Sequence, residues 1–225
     1  MVLAALYVAP KVGVLYSERF VPRLGHMAER FALLLLIVAG EGFFKLVITL
    51  AEKGIDNVVG DVFVNYAFGG ISIFMLCWIY FDFVGNGKPR DDKPKTLVKW
   101  TLAHLFLMLS SVMIGVALSA QVKISFIEHY PLKYAVIGCV GLAVYLYCLL
   151  KIQDVIELRT AHRFATAKVR YFGIVLAFVT MGIVSFVPSV IANTVWGVAL
   201  FSQIVVPVRT AFRTLTKEMK QENEQ

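Results

Sequence analysis

The chain has 225 residues, of which 59% are hydrophobic and only 16% charged, with 22 Lys and Arg against 15 Asp and Glu for a formal net charge of +7. Soluble domains carry roughly 25% charged residues, so too few ionised side chains are present to clothe a particle in water; a soluble globule, a disordered chain and a coiled coil are excluded together. What remains is an all-α, polytopic membrane protein, and the basic excess is read for its position along the chain, with no nucleic-acid partner expected.

In chain order, residues 1–17 are apolar but interrupted by Pro10 and Lys11, which predicts a short extra helix at the membrane interface or entering the bilayer. Six long apolar runs follow, over 30–51, 59–84, 97–120, 132–150, 169–187 and 190–208. Each exceeds strand length and lacks period-2 alternation, so each is predicted as a transmembrane helix. Pro188 predicts a tight turn between the last two, and residues 85–99 a polar loop. The whole chain reads as one transmembrane domain, with a short apolar helix over 1–17, a six-span core over 24–208 and a cytoplasmic tail over 209–225, solvated and frayed over 217–225.

The basic residues alternate between gaps. Eighteen of the 22 fall before or at the start of span one, between spans two and three, between spans four and five, and in the tail. The opposite gaps hold only Lys45, Lys53, Lys123 and Lys133. Lys and Arg are enriched on the cytoplasmic side, so both ends of the six-span core, the C-terminus included, are expected in the cytoplasm. Cys77, Cys139 and Cys148 lie within apolar runs without C-x-x-C spacing, and read as buried thiols.

An ionisable side chain inside a span needs a partner, a wet cavity or a task. On a wheel of about 100° per residue, His26, Glu29, Arg30, Glu41 and Lys45 of span one share a stripe, which is expected to face into the bundle. Glu41 lies about 16 Å along the helix from Arg30, near the bilayer centre, between Gly40 and Gly42. It reads as a proton- or ion-handling carboxylate, or as a simple ion pair with Lys45. Nearer the cytoplasm, His26, Glu29 and Arg30 stand level with Asp82 at the end of span two and His104 early in span three. These five are expected to meet in one layer, acting as a gate, a proton path or a packing clamp, with metal ligation by His26, Glu29, Asp82 and His104 as a further alternative. On the opposite side, Asp61 and Asn65 lie near the level of Lys45 and complete a candidate ion- or substrate-binding vestibule. Neither spacing nor motif points to a metal, a cofactor or a catalytic residue.

The run His26-Met27-Ala28-Glu29-Arg30-Phe31, then Ile37-Val38-Ala39-Gly40-Glu41, resembles the hallmark of the bacterial low-temperature-requirement A (LtrA) family. Tyr80-Phe81-Asp82, preceded by Trp78, and Trp100 with His104 resemble that family's next two spans in the same order. The motifs lie within about residues 24–120 and resemble the second, C-terminal part of the family's pattern; an earlier aromatic-rich half is not matched. The resemblance implies a multi-pass inner-membrane protein and hands over no substrate. Ala32 stands where the family carries a glycine, and Gly42 where a serine is common. The function expected is a proton-linked or ion-handling transporter or channel for a proton, small ion or solute, embedded in lipid and working alone or as a homo-oligomer. The alternative is a non-transporting membrane scaffold or partner-binding component.

Overall fold

A backbone amide left unpaired in hydrocarbon costs several kcal/mol, so each apolar run must close its hydrogen bonds within one helix. A computed structural model describes residues 24–54, 60–85, 87–91, 93–156 and 160–223, the side chains of 160–165 and 211–223 excepted. The short helix predicted over 1–17 lies outside the described residues. Among the described residues there are six helices: α1 (Leu24–Lys53), α2 (Gly60–Phe83), α3 (Pro94–Gln121), α4 (Leu132–Gln153), α5 (Thr160–Ile183) and α6 (Ser189–Asn223). All six contain a stretch long and apolar enough to cross a membrane.

All but α2 extend past their apolar runs at one end or both. Helix α1 starts six residues before the expected boundary, at Leu24, and takes in His26 and Glu29. Helix α3 starts at Pro94, a residue suited to a first turn because its missing N–H would have no partner there. The predicted loop therefore shortens, and what remains is strapped across the bundle end: the Arg90 side chain donates from Nε to the Ile156 carbonyl at 2.9 Å and from Nη2 to the Asp154 carbonyl at 2.8 Å. Beside it, the Thr96 hydroxyl holds the Asp91 carboxyl below its usual range. The tail predicted to fray is instead helical through Asn223, continuing past Pro207. Its composition of Lys, Glu, Met and Gln favours that outcome.

Helix α4 forms the centre and α1 the periphery: 67% of the apolar window of α4 is buried, against 11% for α1. Helix α1 packs on α2 and α3, α4 on α3 and α5, and α6 on α5 and α2. Glycines set the closest crossings. A Cβ on Gly138 would stand 2.7 Å from the Ala117 Cβ, and one on Gly115 would stand 3.3 Å from the Gly42 Cα. Gly42 thus serves the α1–α3 crossing and not access to the neighbouring carboxylate. Gly182 of α5, by contrast, has open space beyond it. Valine at Gly138 is expected to lower stability by about 2 kcal/mol, because the Ala117 methyl cannot retreat from an adjoining helix. A thermal melt in detergent checks this, with Gly182→Val as the position expected to change little.

At the end opposite the Arg90 strap, side chains latch the connections. The Ser125 hydroxyl donates to Asp61 Oδ2 at 2.6 Å, and the Ser189 hydroxyl donates to the Ser125 carbonyl at 2.8 Å. Lys123 pairs with Glu52 at 3.1 Å. Pro188 sits in the tight α5–α6 turn, as its sequence predicts.

Candidate functional site

The charged stripe of α1 is the first surprise. Its buried side consists of Ala28, Leu35, Leu46 and Thr49, with Phe31 and Gly42 partly covered. His26, Glu29, Arg30, Glu41 and Lys45 are all exposed. The face expected to point inward therefore points away from the other described helices. The physical reason is that α1 offers α2 and α3 a smooth aliphatic ridge opened by Gly42, which packs more closely than a row of long charged side chains. Glu41 and Lys45 form no ion pair among the described residues.

The five residues expected in one layer do not all meet. His26 Nδ1 stands 3.3 Å from Glu29 Oε2, with both side chains exposed, and Arg30 is exposed beside them. Asp82 is exposed and accepts from Trp78 Nε1 of its own helix at 2.6 Å. His104 alone is interior, only 1% exposed. Its Nδ1 is 2.9 Å from the Trp100 carbonyl, which can only accept, so this nitrogen carries the proton. Phe31 stacks on the imidazole at 4.6 Å, and the Trp100 and Tyr80 rings meet it edge-on at 4.7 and 5.9 Å. Among the described residues, no three His, Cys, Asp or Glu side chains gather as a metal site would require.

Asp61 and Asn65 are drawn into the latch rather than toward Lys45. Asn65 is buried, donates to the Ile124 carbonyl at 2.8 Å, and accepts from Asn193 Nδ2 at 3.3 Å. Close to Asn193 lies a cavity of about 30 Å³, bordered by Gln121, Tyr130, Thr180 and Trp196. That is room for one or two waters, and the unpaired Gln121 Nε2 and Trp196 Nε1 are suited to hold them. Tyr130 donates to the Ala117 carbonyl at 2.5 Å, and burial keeps its phenol protonated by raising its pKa above the ordinary value.

The interior's strongest charge is one the sequence reading assigned to a connection. Arg170 of α5 is fully buried. Its Nη1 donates to Gln203 Oε1 of α6 at 3.0 Å, and the Phe83 ring of α2 lies 4.8 Å from the guanidinium carbon. Gln203 is itself fixed, donating from Nε2 to the Val169 carbonyl at 2.9 Å and the Ala199 carbonyl at 3.1 Å. Gly173 makes room for this amide, since a Cβ there would stand 2.6 Å from Nε2. Arg170 Nε and Nη2, Tyr80 Oη, Trp100 Nε1 and Gln153 Nε2 are all buried without a hydrogen-bond partner. Each is a donor. A polar layer therefore exists at the basic end, but of these donors rather than of the expected acids, and His104 is the member common to both. The signal was present in the sequence: Arg170 lies past Val169, the first residue of its predicted span, on one helical face with Gly173, Ala177 and Thr180.

A family model described as "Bacterial low temperature requirement A protein (LtrA)" matches residues 1–206, reaching beyond both ends of the stretch that carries the motifs. No curated protein and no solved structure matches the chain.

Proposed function

This chain belongs to the LtrA family, and from that membership we propose that it is a proton-linked or ion-handling membrane transporter that works as an assembly of copies, with Glu41 at the seam. The observation that carries the reading is the outward turn of the α1 stripe. On insertion scales a central ionised residue costs about 2.5–3.5 kcal/mol, so Glu41 at the bilayer centre needs cover that the described residues do not supply. Two copies related by a two-fold axis along the membrane normal bring equal depths of α1 together. Like residues then meet at equal depth, Glu41 facing Glu41 of the second copy with each Lys45 about 6 Å away in depth, so the seam gathers two carboxylates close to two amines. Gly40 is exposed with open space beyond it, which lets a second helix approach.

A seam closed in this way holds carboxylates and amines away from lipid, where a proton or small cation can bind and leave. The excess of Lys and Arg at the other end of each hairpin supports an inner-membrane orientation with that end, and the C-terminus, in the cytoplasm. The test is ion and proton flux in proteoliposomes with Glu41→Gln. A second reading, a non-transporting scaffold, draws on the aromatic enclosure of His104, which is the mark of a packing residue. It requires that wild-type protein carry no flux above protein-free liposomes, so that Glu41→Gln changes nothing.

A further inference from the structure

We propose that Arg170 is the anchor of an intramembrane oxyanion site that takes a carboxylate or a phosphate group. The inference goes beyond the transport reading and does not depend on Glu41. A guanidinium has two bidentate edges, and the Nε and Nη2 hydrogens point in parallel along one of them. That edge is the free one here: Nη1 is engaged by Gln203, while Nε and Nη2 are buried without a partner. Phe83 covers one face of the guanidinium at 4.8 Å, and the fixed Gln203 amide holds its far corner at 3.0 Å. The group is therefore oriented before a ligand arrives, and approach is limited to the edge that matches two oxygens.

No acid occupies this edge among the described residues, because Arg170 appears in no ion pair. Tyr80, three residues before Phe83 on the same face of α2, also buries a hydroxyl without a partner. A fully buried cation with two idle donors is unfavourable unless an acceptor satisfies them. An oxyanion supplies both the charge and the two lone pairs, whereas a cation or an apolar solute supplies neither. Lipid phosphate and a free carboxylate or phosphate share this chemistry.

The experiment is a thermal melt of purified, delipidated full-length protein in neutral detergent, at constant ionic strength. Sodium acetate or phosphate replaces chloride in one arm, and phosphatidylglycerol is added in the other. A saturable rise of about 3 °C or more in either arm is expected from ligand binding to the folded state. A rise with the free anions assigns a soluble ligand, and a rise with the lipid alone assigns a headgroup. The rise should vanish in Arg170→Met, shrink in Arg170→Lys, which keeps the charge but loses the fork, and persist in the exposed control Lys168→Gln. No saturable rise in wild-type protein in either arm overturns the proposal, and so does a rise that survives in Arg170→Met or equally in Arg170→Lys. If Arg170→Met does not fold, the wild-type and Arg170→Lys titrations still decide between these outcomes.

Discussion

Replacing Gln203 with leucine is expected to destabilise the protein by about 3 kcal/mol, the scale for removing one partner of a buried charge. The loss exceeds that of an ordinary interhelical hydrogen bond, about 0.6 kcal/mol in membranes, because it leaves a third donor of a fully buried guanidinium unpaired. It also strips the Val169 and Ala199 carbonyls of the amide they share. The double variant Arg170→Met with Gln203→Leu is expected to recover most of the loss, since no charge then remains to be solvated. A double-mutant cycle on melting curves or denaturant unfolding in detergent measures the coupling. Additive losses would show that Arg170 and Gln203 do not act as a unit.

Glu41→Gln is expected to reduce proton or ion flux in proteoliposomes by tenfold or more while leaving the melting midpoint within a degree or two. The side chain is exposed on α1 and makes no ion pair among the described residues, so folding of the single bundle does not rest on it. Glutamine keeps the shape but neither binds a proton near neutral pH nor carries charge, so a step that needs the carboxylate stops. A variant with normal flux removes Glu41 from transport, and wild-type protein with no flux above protein-free liposomes leaves the scaffold reading in place.

The six spans were legible because a hydropathy run depends on composition alone, and lipid accepts any helix of sufficient length. Helix rotation was not. In water an apolar stripe marks the buried side, but in a bilayer both the lipid-facing and the core-facing sides are apolar. The charged stripe of α1 was the visible asymmetry, and for an isolated bundle inward is the side where charge is cheapest. The packing side was written in smaller letters, by Gly42 meeting Gly115 and by Phe31 reaching His104. Arg170 was hidden by the same logic. A basic residue near a predicted boundary counts as a loop charge, and only its spacing to Gly173 and Ala177 places it on the inner face of α5. Asp61 and Asn65 sat at the expected level, yet the α3–α4 connection through Ser125 claims them, a pairing across more than fifty residues that no local pattern records.

The central claim is that the α1 stripe is a seam between copies, and thiol cross-linking in native membranes tests it most directly. With Cys77, Cys139 and Cys148 replaced by alanine, a single cysteine is placed at Ile37, which is 69% exposed in the middle of the stripe, or at Phe178, which is 50% exposed on α5. Oxidation is expected to convert Ile37→Cys to a species of twice the chain mass and to leave Phe178→Cys monomeric. An Ile37→Cys protein that stays monomeric, or that cross-links no better than Phe178→Cys, would contradict the seam.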